Sequence, residues 1–309
     1  MINISIVIPV FEAENIIEDL TFRIEDSINN DKLIYEIILV DDGSEDNSWD
    51  LIQSLAKDNL KVKGIKLSRN FGQHYAILAG LTKSSGENVV VMDCDLQENP
   101  IYINDLIKKR MEGYEIVYSM RNNRNFGLIK NLLSFIYYKI YNSLVSDKRF
   151  HASPDNSALS LMSRNVVNNY IKVGDYRRHH LMILRWLGFK SSSIIIKHEK
   201  RGKGKSSYNM SRLIDHAIDG IFFNSNKILF LTTKLGLIIS FISFLGVVYL
   251  IVSYYIKSYQ DGWTSLAVLI LFSTGVIVFC IGIVGLYIGK SFEQAKGRPK
   301  FVIDKKVNF

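Results

Sequence analysis

Val89-Val90-Val91-Met92-Asp93-Cys94-Asp95 decides the fold, because an uninterrupted apolar run empties there into two carboxylates one residue apart. Lying between Gly86 and Pro100, the run reads as a strand buried on both faces. If the chain leaves that strand still extended, Asp93 and Asp95 point to the same side and can share one divalent cation, which would hold a diphosphate. A polar strand end is the plainer reading of Asp-x-Asp; the surroundings favour the cation. Ile37-Ile38-Leu39-Val40 runs into Asp41-Asp42-Gly43-Ser44 in the same manner, and Ile4-Ser5-Ile6-Val7-Ile8 stops at Pro9. Ligands of open α/β sheets sit outside the carboxyl ends of the strands, so these strand ends converge on one crevice.

Working outward, strand and helix alternate from the N-terminus to Glu115-Ile116-Val117-Tyr118, which predicts right-handed βαβ units and a mostly parallel sheet. Asn15 is placed to cap a helix from Ile16 to about Asn29. Glu12 lies in the loop before it, at the crevice. The acidic stretch Asp41 to Ser48 cannot hold phosphates alone; its carboxylates suit ribose hydroxyls or a base edge, while Asp46 to Ser48 also turn the chain and cap the next helix. The strand Val62 to Leu67 leads through Ser68-Arg69-Asn70-Phe71-Gly72 into a further helix, at whose start Arg69 can meet a phosphate. His74 has no Ser or Cys nearby to activate and reads as a solvent-facing or capping residue. Pro100 opens a helix to about Glu112.

The 309 residues carry a formal charge of +8, 48% hydrophobic residues and a mean hydropathy of +0.09, a balance that fits one sizeable domain plus membrane segments. Cys94 and Cys280 offer no disulfide framework and point to a reducing compartment. Met1-Ile2-Asn3-Ile4 lacks a basic region and reads as a strand rather than a signal peptide. Lys and Arg are scattered, densest around the late apolar segments, which argues against nucleic acid and for anionic lipid and phosphate-bearing substrates. Leu235 to Ile256 and Leu266 to Ile288 are free of charge and reach the roughly 20 residues that span a bilayer. They read as a transmembrane hairpin. Flanking bases on both sides, with a nearly neutral loop at Ser258 to Trp263, place both termini in the cytoplasm and the protein in the inner membrane as a multi-pass chain. Gly282, Gly285 and Gly289 allow close approach of a neighbour, within the hairpin or in a second protomer of a homo-oligomer.

The expected organisation is therefore a cytoplasmic domain over 1–205, an interfacial helix and linker over 206–233, two spans over 234–290, and a basic cytoplasmic tail over 291–309. The apolar helix Arg124 to Leu144 suits either the membrane interface or packing on the domain, and Met210 to Phe223 is placed at the interface. The Gly-punctuated basic loop Lys197 to Ser207 reads as a grip on a substrate phosphate or diphosphate.

Val7-Ile8-Pro9-Val10-Phe11, Val40-Asp41-Asp42-Gly43-Ser44, Leu67-Ser68-Arg69-Asn70-Phe71-Gly72 and Met92-Asp93-Cys94-Asp95-Leu96-Gln97 together resemble glycosyltransferase family 2, with its nucleotide-sugar-binding GT-A fold. The resemblance is strongest to the polyprenyl-phosphate branch, which includes dolichyl-phosphate mannose synthase and bactoprenol glucosyl transferases. It continues through Trp186-Leu187-Gly188-Phe189, Arg201 with Gly204-Lys205-Ser206-Ser207-Tyr208, and Gly297-Arg298-Pro299. The resemblance implies that Pro9, Phe11, Glu12, Asp41, Asp42, Arg69 and Asp93 bind the nucleotide sugar. It also implies that Asp93 and Asp95 hold Mg2+ or Mn2+, with Gln97 near the sugar and Arg201, Lys205 and Ser206 on an acceptor phosphate. Asp95, Gln97 and Arg201 are then the catalytic candidates. One departure stands out. Ser157-Ala158-Leu159-Ser160 replaces a Gly-Asp-Phe-Arg common in that branch, removing its acid and its base and leaving Asp155 and Asp175 as nearby carboxylates. The implied activity is inverting, metal-dependent transfer of a sugar from a nucleotide diphosphate to polyprenyl phosphate at the cytoplasmic face. Transfer to a hydroxyl of a lipid-linked glycan and a non-catalytic membrane module are the alternatives. Arg185-Trp186 echoes the Gln-x-x-Arg-Trp of processive synthases, but Met182 occupies the Gln position and two spans are too few for a polymer channel.

Overall fold

The computed structural model describes residues 3–28, 33–121, 156–175, 178–197 and 262–309, with isolated positions between 139 and 252. The expected helices at Arg124–Leu144 and Met210–Phe223, the first span and Asp155 lie wholly or largely outside the described residues, as do Arg201, Lys205 and Ser206.

The predicted alternation is present: β1 (Ile4–Val10), α1 (Ile17–Ile28), β2 (Tyr35–Asp41), α2 (Ser48–Asp58), β3 (Val62–Leu67), α3 (Gln73–Lys83), β4 (Asn88–Val91) and α4 (Tyr102–Met111). After them come β5 (Ile116–Arg121), β6 (Asn156–Ser163), α5 (Arg164–Lys172), α6 (His180–Leu187), β7 (Ser191–Ile196), α7 (Trp263–Ala295) and β8 (Ile303–Val307). All the strands join one sheet in the order β7-β5-β6-β4-β1-β2-β3-β8. β3, β2, β1 and β4 are parallel neighbours, and β5 and β7 also pair in parallel. β6 enters antiparallel between β4 and β5, so its first residues lie beside the carboxyl end of β4.

Strict alternation of side chains sorts the apolar runs onto two faces. Ile4, Ile6, Ile8, Ile37, Leu39, Val90 and Met92 pack on one face against α1, α2 and α4 through residues such as Leu20, Ile24, Ile52 and Leu106. Val7, Ile38, Val40, Val89 and Val91 pack on the other against α3, α5 and α6 through Ala76, Ile77, Val167, Tyr170 and Leu184. The two layers bury β1 completely and all but the first residue of β2 and β4, which is why these central strands read as unbroken hydrophobic runs. α1 starts at Ile17, one residue later than expected, because Ala13 O accepts from Ile16 N and Ile17 N to form the entry turn that Asn15 was expected to cap.

The expected basic tail needs correction. Residues 303–307 form β8, an antiparallel edge strand on β3, in which Gly64 faces Val307 and Lys66 faces Lys305. Phe301 and Ile303 pack into one core and Val307 into the other, while Asn308 Nδ2 donates to Val62 O at 2.9 Å. Half-burial of Ile303 and Val307 at the two ends of β8 flanks three exposed charged residues. Residues 298–309 thus belong to the same compact unit as β1 to β7.

α7 belongs to a second unit. It contains the predicted second span and runs on past Lys290 to Ala295, about 50 Å in all at 1.5 Å per residue. Phe272–Ala295 is, among the described residues, the one helix long and apolar enough to cross a membrane, with a mean hydropathy of 2.1 in its most apolar window. Its apolar side chains are exposed, including Phe272, Val278, Phe279, Ile281 and Ile288.

Candidate active site

The carboxyl ends of β1, β2, β3 and β4 come to one end of the sheet, and hydrogen bonds stitch their loops together. Glu12 N donates to Ser44 Oγ at 3.0 Å and Ala13 N to Ser48 Oγ at 3.0 Å, joining the β1 loop to the β2 loop. Glu12 itself takes a left-handed conformation, φ 49°. Gly43, at φ 73°, lies so close to the β3 loop that a Cβ there would stand 2.4 Å from the Arg69 carbonyl carbon. Only glycine fits that crossing.

Asp41 and Asp42, paired in the sequence reading as nucleotide ligands, are separated by the structure. Asp42 is buried and its two oxygens accept from Phe71 N and Gly72 N, each at 2.8 Å, so this side chain clamps the β3 loop. Burial pushes its pKa up to about 6 against the pull of those two N–H groups. Asp41 accepts from Ser44 N at 3.1 Å through Oδ1; its Oδ2 is buried with no hydrogen-bond partner among the described residues. Burial raises its pKa too. Arg69 is exposed and stacks its guanidinium 4.1 Å from the Phe71 ring centroid, while Pro9 is buried in β1 and Phe11 is 42% exposed.

Beyond Val91 the chain does not stay a strand. Asp93 and Asp95 occupy a bend, each half-buried, with Cys94 between them packed against the core beside α1 and α4. Gln73 Nε2 donates to Asp93 Oδ1 at 2.5 Å, and Asp95 Oδ1 accepts from Gln97 N at 3.1 Å. Burial, then the charges of Asp93 and Asp95, push the Cys94 thiol up to about 12, so it stays protonated and offers no soft thiolate. The remaining oxygen donors suit a hard divalent cation such as Mg2+ or Mn2+. Among the described residues no cluster of three or more His, Cys, Asp or Glu side chains is grouped to enclose an ion.

The sequence reading missed the groups beside this bend. Glu98, only 2% exposed, accepts from Ser157 Oγ, from Ala158 N at 3.1 Å and from Leu159 N at 3.3 Å, all at the start of β6. Burial and then the Asp93 charge raise its pKa to about 8, with Leu159 N and the Arg121 charge pulling the other way. Nothing local in the sequence marks Glu98; its partners are about 60 residues away. Ser160, at the family's basic position, bonds His180 Nε2 at 2.9 Å, and His180 Nδ1 lies 3.3 Å from the Tyr170 hydroxyl. Burial, then His179 and Arg178, depress His180 to about 3, so this network is neutral and structural. His74 Nδ1 accepts from His180 N at 3.4 Å and its ring tilts against His179 at 4.8 Å, which makes it a packing and capping residue, as expected. Asp175 is exposed in a separate cleft of about 410 Å³ with Lys172 and Trp186.

The profile of glycosyl transferase family 2 matches residues 5–170. The chain belongs to this family. A Shigella phage SfII bactoprenol glucosyl transferase is 32% identical over 304 residues, covering 98% of this chain and 97% of its own. An uncharacterized glycosyltransferase of Bacillus subtilis, YkcC, is 31% identical over 309 residues, covering 98% and 94%. Among solved structures, glucosyl-3-phosphoglycerate synthase of Mycobacterium tuberculosis superposes with a TM-score of 0.50 at 18% identity, covering 72% of this chain and 80% of that one. The fold of this glycosyltransferase is therefore the GT-A fold that the motifs implied, and the chain is an enzyme of that class.

Proposed function

We propose that this glycosyltransferase moves a sugar from a nucleotide-diphosphate donor to a polyprenyl phosphate at the cytoplasmic face of a membrane. The observation that carries this reading is the division of labour at the strand ends: Asp42 is consumed by the fold, whereas Asp41 keeps a buried oxygen with no hydrogen-bond partner among the described residues, and Asp93 and Asp95 stand half-exposed after β4, on the other side of β1 in the sheet. Asp41 Oδ2 accepts a ribose hydroxyl or base N–H of the nucleotide. Arg69, on the neighbouring loop, meets a donor phosphate. Asp93 and Asp95 hold Mg2+ or Mn2+, which supplies charge neutralisation of the departing diphosphate. Gln97, whose backbone bonds Asp95, lies next to the transferred sugar.

The acceptor assignment rests on the similarity to a bactoprenol glucosyl transferase and on the chemistry available. A phosphate acceptor, with a second pKa of about 6, is largely anionic near neutral pH and attacks the anomeric carbon in line without a protein base. Glu98, the acid delivered to β6, is occupied by Ser157 and two backbone N–H groups, which suits an acceptor that needs no base. Arg201, Lys205 and Ser206 hold the acceptor phosphate. α7, with the preceding apolar segment, forms the hairpin that brings the polyprenol to the enzyme, both termini remaining cytoplasmic.

The test is to incubate membranes containing the protein with a panel of labelled nucleotide sugars and polyprenyl phosphate, with and without EDTA. The expected product is an acid-labile polyprenyl-phosphate sugar that needs a divalent cation and disappears in Asp95→Asn. Label appearing only on hydroxyl acceptors would overturn the acceptor, and undiminished transfer in EDTA would overturn the metal.

A further inference from the structure

The bend that carries Asp93 and Asp95 lies between the end of β4 at Val91 and the start of α4 at Tyr102, and its regular pairing among the described residues is a single β-bridge at Glu98. Its inward-facing residues fasten it. Cys94 and Leu96 pack against the apolar core, and Leu96 sits at φ 57°. A leucine in the left-handed region persists only where its surroundings over-determine it. The next inward residue in the same alternation is Glu98, and its anchor is polar rather than apolar. Its Oε1 gathers the Ser157 hydroxyl and the N–H groups of Ala158 and Leu159. β6 is itself fixed to β4 through Val90 facing Leu161 and Val91 facing Ser160, so Glu98 ties the bend to a rigid element. A buried carboxylate near two others is an unfavourable choice for an anchor, since like charges and burial both oppose it. Arg121, at the end of β5, supplies an opposing charge.

We propose that Glu98 is a positioning residue for the ion-binding carboxylates: by pinning the bend to Ser157, Ala158 and Leu159 it fixes where Asp93 and Asp95 stand relative to the crevice wall. The proposal rests on the reading of Asp93 and Asp95 as ion ligands. Glu98 does not touch the ion or the sugar. It acts as outer partners of metal ligands do, by removing alternative positions of the ligands themselves. The anchor works through its acceptor oxygen and its length, so a glutamine replaces it and an aspartate, one methylene shorter, does not.

The experiment measures Mn2+ binding to the full-length protein in detergent micelles, from the free-Mn2+ electron paramagnetic resonance signal, together with the thermal midpoint in the absence of metal. Glu98→Ala and Glu98→Asp should weaken Mn2+ binding by about tenfold or more, Ser157→Ala by about threefold, and Glu98→Gln by less than about threefold. Wild-type affinity in Glu98→Ala and Ser157→Ala, while Asp95→Asn binds no Mn2+, overturns the positioning role and leaves the ion site standing. Absence of Mn2+ uptake by the wild-type protein overturns both. If Glu98→Gln is damaged as severely as Glu98→Ala, the charge and not the hydrogen-bond anchor is what matters, and the proposal fails. Should Glu98→Ala not fold, Ser157→Ala and Glu98→Gln decide alone, with equal Mn2+ affinity in Ser157→Ala and wild type as the adverse result. A purely structural role would lower thermal midpoints without moving Mn2+ affinity in folded variants.

Discussion

Two acidic pairs follow β2 and β4, the strands on either side of β1, and the structure treats them differently. At the end of β2, Asp41 and Asp42 are both buried, and Asp42 gives both oxygens to the backbone of Phe71 and Gly72. After β4, Asp93 and Asp95 are half-exposed; Asp93 accepts from Gln73 Nε2 and Asp95 from Gln97 N. Equal chemistry at equal places in the fold therefore leaves Asp42 building the crevice wall, while Asp41, Asp93 and Asp95 are the carboxylates proposed to work in it. Burial is the variable that separates them: a fully desolvated carboxylate must be given donors by the protein, and those donors then fix a loop.

The largest effect that would sharpen this contrast is expected from Asp95→Asn. Sugar transfer should fall by about a thousandfold or more, several kcal/mol of transition-state stabilisation, with the thermal midpoint unchanged. A loss of fold in that variant would break the distinction between the pairs. Next comes Asp42→Ala, which leaves Phe71 N and Gly72 N without acceptors at a cost of about 1–3 kcal/mol each if they stay buried. Its thermal midpoint should drop, and nucleotide affinity should drop with it because the β3 loop loosens; calorimetry and nucleotide binding on one preparation check both.

A smaller effect is expected from pH. The folded protein holds a proton on Asp42 up to about pH 6, whereas the unfolded chain releases it near the ordinary carboxylate value of 3.8. The folded state then binds more protons between those values, so this residue's contribution to stability falls as pH rises through the window, by up to roughly 3 kcal/mol. Denaturant midpoints at pH 4.5 and 7 should show a steeper slope in the wild type than in Asp42→Asn. Equal slopes would mean that burial does not hold a proton on Asp42. The smallest change should come from Phe301→Ala. Val302 O accepts from Ser68 N at 3.0 Å and Phe301 packs behind the loop that Asp42 clamps, so donor KM should rise a few-fold with kcat nearly unchanged.

The half of the sheet built from β1 to β4 was legible in the sequence because strands buried on both faces advertise themselves as runs of Ile and Val, and their ends could be read as site residues by position alone. Glu98 was not legible, since its function is a contact with Ser157 to Leu159 that no local pattern encodes. Asp42 was read as a nucleotide contact, whereas its use as an internal clamp depends on Phe71 and Gly72 approaching from the loop after another strand. β8 was hidden for a different reason. Ile303-Asp304-Lys305-Lys306-Val307 is mostly charged, with only Ile303 and Val307 half-buried, and an edge strand can leave the rest of its side chains in solvent while its backbone pairs. α7 outruns its apolar stretch because hydropathy sets how much of a helix prefers lipid, not where its hydrogen bonding stops; Gly297, at φ 61°, follows its end.

Because β8 follows β7 by roughly a hundred residues, the order of synthesis has a consequence for how this sheet is completed. At about 5–20 residues per second, the ribosome delivers the strand that covers β3 some 5 to 20 seconds after the rest of the sheet has emerged. During that interval the outer edge of β3 is an open template for any other extended chain, the commonest route to misassembly in sheet proteins. Lys63 and Lys66 lie along that strand, and charged side chains on an edge discourage foreign pairing. α7 is translated within the same interval, so, if it enters a membrane as proposed, its insertion and closure of the sheet compete in time, and slowing either one should change the yield of folded protein without touching its final stability.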